Sequence, residues 1–137
     1  MQNSKTPIEI LQNIYGYPNF RGMQEEIINH TISGKNSFVL MPTGSGKSLC
    51  YQIPALCRDG VGIIISPLIA LMHDQVSALK QLGINAAAIN SGMSFAEIEH
   101  VKRMIFEGSL DMLYVAPERL LMEDFIELLK SAKIALF

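Results

Sequence analysis

No stretch of this sequence is apolar for long enough to cross a lipid bilayer. The longest near-continuous apolar run, 61–72, is interrupted by Gly62, Ser66 and Pro67, whereas a membrane-spanning helix needs about 20 apolar residues. The N-terminal residues 1–5 lack the apolar core of a secretory signal peptide. The sequence therefore predicts neither a membrane protein nor a secreted one, and it favours a cytoplasmic location.

An excess of positive charge is also missing. The formal net charge is −2, with 11 Lys and Arg against 13 Asp and Glu. A dedicated nucleic-acid binder is usually basic, so any contact with DNA or RNA has to come from local groups. The two cysteines, Cys50 and Cys57, lack metal-type spacing, and we interpret them as reduced, packed thiols. His30, His73 and His100 are scattered, which argues against a metal site.

The composition is that of a globular protein on the apolar side. Of the 137 residues, 49% are hydrophobic and 18% are charged, and the mean hydropathy is +0.25. A chain of this length fits one domain. Short apolar runs alternate with helical patterns, which predicts an α/β fold with a mostly parallel sheet and helices on both faces. The strands are predicted at 37–41, 61–65, 86–89, 112–115 and 134–137.

Capping signals predict where several helices begin. A capping box of Thr6 and Glu9 starts a short first helix, and a second box, of Ser94 and Glu97, starts a later one. We expect the helix after the first strand to be interrupted near Pro54, because proline removes a helix hydrogen bond. The other helices are predicted at 23–33, 47–57, 68–82 and 122–130.

The first predicted strand leads into a glycine-rich loop, 42–48, and then into a helix. Gly44 and Gly46 permit a tight turn whose backbone N–H groups point at an anion, and the helix N-terminus adds partial positive charge. The Lys47 ammonium reaches the outer phosphates of a nucleoside triphosphate, and the Ser48 hydroxyl ligates Mg²⁺. A ligand-free turn would not require a lysine and a serine at these offsets. The predicted ATP-binding residues of the loop are Thr43, Gly44, Ser45, Gly46, Lys47 and Ser48, of which Lys47 is also the predicted catalytic residue.

Four separated segments resemble the RecQ family of ATP-dependent DNA helicases, a branch of helicase superfamily 2. The resemblance extends over nearly the whole chain. It is most specific in the first and third segments, because phosphate loops alone occur in many unrelated enzymes. Methionine before Pro-Thr-Gly is ordinary in this superfamily, which accounts for Met41 where a full phosphate-loop pattern has glycine. The segments are YGYPNFRGMQ at 15–24, MPTGSGKSLCYQ at 41–52, SPLIALMHDQV at 66–76 and YVAPERL at 114–120.

The resemblance implies a three-layer RecA-like domain, truncated here at its fifth strand. Within one structural domain overall, 1–36 form N-terminal helices with an adenine-gripping segment, and 37–137 form a partial ATP-binding domain. By the same resemblance Tyr17 covers the face of adenine, Arg21 bonds to it or stacks on it, and Gln24 reads its edge. An amide offers a donor and an acceptor side by side, and an aromatic face suits a purine. From the residues alone, Tyr17 would instead be a core aromatic and Arg21 a surface charge.

The third and fourth segments are implied to lie along single-stranded DNA. Neutral groups such as the Ser66 hydroxyl suit phosphate contacts in a domain that is not basic. Ala70 replaces a serine that is common in relatives. Asp74 and Gln75 either brace this loop or belong to a solvated helix face. The implied DNA-binding residues are Ser66, Pro67, Leu68, His73, Glu118 and Arg119.

The family holds Mg²⁺ and orients the attacking water with an Asp-Glu-Ala-His box that follows a strand like 133–137. We therefore interpret the chain as the N-terminal part of a first motor domain, whose parent couples ATP hydrolysis to 3′–5′ translocation and DNA unwinding in recombination and repair, at the nucleoid. The isolated piece is expected to bind nucleotide weakly and to hydrolyse it negligibly. The alternatives are an RNA helicase of the same superfamily, a small-molecule kinase and a non-catalytic nucleotide-binding module.

Overall fold

The computed structural model of the chain describes residues 6–36, 46–90 and 92–137, with Ser131 described by its backbone only. The chain divides into two compact units, Met1–Asp59 and Gly60–Phe137. The division predicted at residue 37 stays a prediction, and the first predicted strand lies outside the described residues. Within the described part, no helix is both long enough and apolar enough to cross a membrane.

The first unit is built from helices that pack through Ile10, Leu11, Ile28 and Ile53. The Thr6 capping box is confirmed: the Glu9 N–H donates to the Thr6 hydroxyl at 3.3 Å, and the Thr6 N–H donates to the Glu9 carboxylate at 2.9 Å. The helices are α1 (Pro7–Ile10), a π-helical turn (Leu11–Tyr15) that the sequence pattern did not predict, α2 (Gln24–Ile32) and α3 (Lys47–Cys57).

The interruption predicted near Pro54 was wrong. Helix α3 continues through Pro54 to Cys57. Proline removes the hydrogen bond that its own N–H would make and crowds the preceding turn, but the following turn is formed, with the Arg58 N–H donating to the Pro54 carbonyl at 3.2 Å. The neighbouring Ile53 is fully buried, so packing keeps this turn helical.

The second unit is a four-stranded sheet in which every described pairing is parallel. This confirms the predicted α/β class and four of the five predicted strands. The spatial order is β2-β3-β1-β4. The strands are β1 (Val61–Ile65), β2 (Ala86–Ile89), β3 (Met112–Val115) and β4 (Ile134–Leu136), and the helices are α4 (Ile69–Gln81), α5 (Phe95–Phe106), α6 (Pro117–Leu120) and α7 (Glu123–Ser131).

Helices cover both faces of this sheet. Leu113 of β3 packs in a core with Val101 of α5 and Phe125 of α7, whereas Tyr114 points the opposite way and donates to Gln75 of α4. The strand order explains this arrangement. The connection from β1 to β2 moves in one direction across the sheet and the two later connections move in the other, so a constant right-handed crossover places their helices on opposite faces.

Candidate functional site

The structure describes three of the six residues predicted to form the phosphate loop. Gly46 lies directly before α3, Lys47 and Ser48 are the first two residues of that helix, and Lys47 is exposed. An exposed lysine at a helix N-terminus stands where backbone N–H groups and the helix dipole also favour an anion. The other three, 43–45, lie outside the described residues, so their part in the loop stays a prediction.

Gly46 and Gln24 are in direct contact. Gly46 has a φ of 79°, a left-handed backbone conformation that residues with a side chain rarely adopt. A β-carbon placed on Gly46 would lie only 2.3 Å from Nε2 of Gln24. Both observations require glycine at this position, so the glycine of the predicted loop is explained by its own geometry and by its neighbour.

Gln24 joins the predicted adenine segment to the phosphate loop. The residue is only 2% exposed, although glutamine is mostly exposed in proteins. Its Oε1 accepts from the Arg21 N–H at 2.8 Å, and its Nε2 donates to the Gly46 carbonyl at 3.2 Å. These bonds use one of its two N–H donors and one of its two acceptor lone pairs. The sequence predicted a role in base reading for Gln24; the structure adds a bracing role that the sequence did not predict.

The other two predicted adenine-binding residues differ in their surroundings. Nη2 of Arg21 lies 3.6 Å from the position of a β-carbon placed on Gly46, so this guanidinium is beside the start of α3. Tyr17 is 55% exposed and is therefore not the core aromatic that the residues alone would favour. Its stacking on a base stays a prediction.

A buried hydrogen bond in the first unit was missed by sequence reasoning. The Tyr15 hydroxyl donates to Oε1 of Gln52 at 2.9 Å. Burial, with a smaller effect from Tyr51, raises the pKa of the Tyr15 hydroxyl well above its usual value, so it remains a neutral donor at physiological pH. The bond ties the π-helical turn to the middle of α3. A polar Gln52 inside an apolar helical run was the available signal.

The cysteines are packed thiols, as predicted. Cys50 and Cys57 are both free, and Cys50 is buried. Burial raises the pKa of the Cys57 thiol to about 11 and also raises that of Cys50. Both thiols are therefore favoured in the protonated form near neutral pH.

In the second unit, the predicted DNA-binding segments follow β1 and β3 at the carboxyl edge of the sheet. The Ser66 N–H donates to the Val115 carbonyl at 3.0 Å, and the Ala116 N–H donates to the Ile89 carbonyl at 3.2 Å. The Ser66 hydroxyl accepts from the Leu68 N–H at 3.3 Å, which holds the turn. The structure therefore brings these two segments together, with Pro67, Leu68 and Glu118 exposed.

Arg119 does not lie at this exposed edge, despite its predicted contact with DNA. Only 8% of the residue is exposed, and its Nη2 donates to Asp124 Oδ2 at 2.7 Å. Such burial does not favour direct contact with DNA, and that contact stays a prediction. The sequence pattern could not reveal the burial, because it depends on a partner in a different helix.

Three neighbouring residues of helix α4 differ in their exposure to solvent. His73 and Asp74 are exposed, whereas Gln75 is partly buried. The Tyr114 hydroxyl donates to Oε1 of Gln75 at 3.3 Å, so Gln75 braces α4 against β3. This bond argues against a solvated helix face for Gln75, and a role in bracing the loop stays a prediction. A contact between His73 and DNA stays a prediction.

The chain is similar in sequence to known helicases. A family model described as DEAD/DEAH box helicase matches residues 21–135. The ATP-dependent DNA helicase RecQ of Pasteurella multocida is 46% identical over 131 residues, which is 96% of this chain and 21% of that protein. The protein of the same name from Bacillus subtilis is 47% identical over 128 residues, 93% of this chain and 22% of that protein. The chain thus spans about a fifth of the length of these relatives.

Similarity also extends to a solved structure. A hypothetical ATP-dependent RNA helicase from Sulfolobus tokodaii superposes with a TM-score of 0.68 at 27% identity, over 93% of this chain and 39% of that one. This agrees with the predicted RecA-like α/β fold. The comparisons also confirm the resemblance to RecQ helicases found in the four sequence segments.

Proposed function

Because the chain belongs to the DEAD/DEAH box helicase family, we propose that it forms the N-terminal ATP-binding part of a RecQ-type DNA helicase. The proposed activity is ATP hydrolysis coupled to 3′–5′ movement along single-stranded DNA and to duplex unwinding, in recombination and repair at the nucleoid. Four proteins named RecQ are 39–47% identical to the chain, whereas the similar structure named as an RNA helicase is 27% identical. This difference supports DNA over RNA.

The start of α3 is the observation that supports this proposal. This place suits phosphate oxygens. It combines Gly46 in its left-handed conformation, the exposed Lys47 and the N-terminus of an 11-residue helix. Arg21 and Gln24 lie beside Gly46, so a nucleotide whose phosphates bind there has polar groups close by for its base. These residues fit ATP: Lys47 would hold its outer phosphates, and Gln24 and Arg21 would hold its adenine.

Mg²⁺ fits this proposal only in part. Bound beside the triphosphate, the ion neutralises charge that develops on the phosphates. The Ser48 hydroxyl, at the second position of α3, would be its protein ligand. Among the described residues, no group of three or more His, Cys, Asp or Glu side chains is arranged to hold a metal ion. In the proposed helicase, the carboxylates that complete the ion's ligands would follow a strand like β4.

The carboxyl edge of the second unit would contact the sugar-phosphate backbone. Ser66, Pro67 and Leu68 follow β1, and Glu118 follows β3; His73 is exposed on α4. Together with the net charge of −2, this argues for contacts through hydroxyl and backbone groups rather than a basic surface. We therefore expect DNA affinity to fall only modestly with added salt, because the slope steepens by about 0.7 only for each phosphate that a Lys or Arg neutralises.

The test is ATP hydrolysis by the complete protein, with single-stranded DNA or RNA of the same sequence added. We expect DNA to stimulate hydrolysis, and Lys47→Ala to remove both ATP binding and stimulation. Lys80→Ala is the matched control, because Lys80 is an exposed lysine in the last turn of α4. Stronger stimulation by RNA would favour the RNA helicase instead. Unchanged ATP affinity in Lys47→Ala would refute the proposed phosphate site.

A further inference from the structure

Arg119 is a buried cation whose charge is compensated inside the protein. The residue is 8% exposed, and its Nε is buried without a hydrogen-bond partner among the described residues. Its Nη1 lies 2.9 Å from the Met122 sulfur, and its Nη2 donates to Asp124 at 2.7 Å. A buried charge is strongly unfavourable without such a partner. The Asp124 carboxylate is therefore what permits Arg119 to be buried.

The same carboxylate binds a second cation from another helix. Lys102 Nζ donates to Asp124 Oδ2 at 3.0 Å and also lies 3.4 Å from Glu99. Hydrogen bonding from Lys102, with help from the charge of Arg119, lowers the pKa of Asp124. Arg119, Asp124 and Lys102 thus connect α6, α7 and α5 at one oxygen atom. We call these three residues the clasp.

The clasp acts on a helix that depends on its neighbours. Helix α6 has four residues, Pro117–Leu120, which is far below the length at which a helix is stable alone. It begins directly after Ala116 at the carboxyl edge of the sheet, and it carries the exposed Glu118. Its orientation therefore depends on contacts made by its other residues, of which the Arg119 ion pair is one.

We infer that Arg119 is a positioning residue that contacts no nucleic acid itself. Through Asp124 and Lys102 it fixes the orientation of α6, and so the position of Pro117 and Glu118 beside Ser66. This inference rests on the proposed function, since it assumes that nucleic acid passes over the carboxyl edge. A direct phosphate contact would require Arg119 to leave Asp124 and to come out of its buried position.

The direction in which Asp124→Asn changes DNA affinity distinguishes a positioning role of Arg119 from direct contact with phosphate. Asp124→Asn removes a negative charge, so if Arg119 contacts phosphate directly, the freed guanidinium should bind single-stranded DNA equally well or more tightly. If Arg119 is a positioning residue, Asp124→Asn should weaken binding instead. Glu127→Gln is the matched control, because it makes the same chemical change on α7 at an exposed residue that pairs only weakly with Lys130, at 3.5 Å.

The experiment measures the dissociation constant of the complete protein for a fluorescent oligodeoxythymidine at several salt concentrations. We expect Asp124→Asn and Arg119→Gln each to raise this constant about two- to thirty-fold. The salt slope should be unchanged, and the double variant should be no weaker than the weaker single variant. Glu127→Gln, and the ATP affinity of every variant without DNA, should match the unmodified protein.

The inference is overturned if Arg119→Gln reduces the salt slope by about 0.7, the loss of one phosphate contact, or if Asp124→Asn leaves DNA affinity unchanged or tightens it. Thermal unfolding checks that each variant folds. If Arg119→Gln does not fold, Asp124→Asn and Lys102→Gln complete the test, and both should weaken binding without a change in slope. If DNA does not stimulate ATP hydrolysis by the unmodified protein, the proposed function is refuted. Normal DNA binding by Asp124→Asn would refute only the positioning role of Arg119, so the two failures can be told apart.

Discussion

Replacing Gly46 with alanine tests the contact between the phosphate loop and Gln24. Alanine in a left-handed conformation costs about 1–2 kcal/mol. The new β-carbon would lie 2.3 Å from Gln24 Nε2, so the buried amide has to move and lose its bonds to Arg21 and Gly46, at about 0.5–1.5 kcal/mol each. The free energy of unfolding should therefore fall by about 2–5 kcal/mol in total.

Gly16→Ala provides the matched control for this prediction. Gly16 has a φ of 80°, but a β-carbon there would meet nothing within 4 Å, so only the conformational cost of about 1–2 kcal/mol should appear. Urea unfolding followed by tyrosine fluorescence suits the measurement, because Tyr15, Tyr17 and Tyr51 lie in the first unit and only Tyr114 in the second. In a double-mutant cycle, Gln24→Ala should remove much of the additional cost. Equal destabilisation by Gly46→Ala and Gly16→Ala would refute the argument.

Two further predictions concern the second unit. Phe125→Ala should lower the free energy of unfolding by about 3–5 kcal/mol, since Phe125 is 0% exposed. Phe95 is 79% exposed, so Phe95→Ala should change this free energy by no more than about 0.5 kcal/mol. Similar values for the two variants would contradict the described core. The pKa of Asp124 is lowered from 3.8, so its stabilising contribution is present above pH 3.8 and is lost as the pH falls through the lower folded value. Below pH 4, the free energy of unfolding should therefore fall less steeply with decreasing pH in Asp124→Asn than in Glu127→Gln. Identical curves for the two variants would contradict this prediction.

The features predicted correctly from sequence are those encoded by neighbouring residues. The capping box of Ser94 and Glu97 is complete within four positions, and it forms as predicted, with the Glu97 N–H donating to the Ser94 hydroxyl at 3.2 Å. Strands such as β1 and β3 are continuous apolar runs, so composition alone indicates their burial. Helix α6 was missed because a four-residue helix carries almost no periodic signal.

The features missed at the site depend on contacts between residues far apart in the chain. Gln52 is buried because the Tyr15 hydroxyl, 37 residues away, reaches it. The burial of Arg119 likewise depends on Lys102 and Asp124, which belong to different helices. Neither periodicity nor a motif contains such pairings. The family resemblance indicated which segments matter, but only the three-dimensional structure separates residues that face solvent from those that support them.

Because the Gln24 amide bonds to both Arg21 and Gly46, binding of a base and binding of phosphates would be interdependent at the proposed site. Gln24 bonds to the carbonyl of Gly46 while lying in the segment proposed to hold adenine, so a base that hydrogen-bonds to this amide acts on the loop as well. If a bound base changes the affinity for the triphosphate by some factor, thermodynamic reciprocity requires that bound triphosphate changes the affinity for the base by the same factor. The affinity for adenosine should therefore change when inorganic triphosphate is bound, and the affinity for triphosphate should change by the same factor when adenosine is bound.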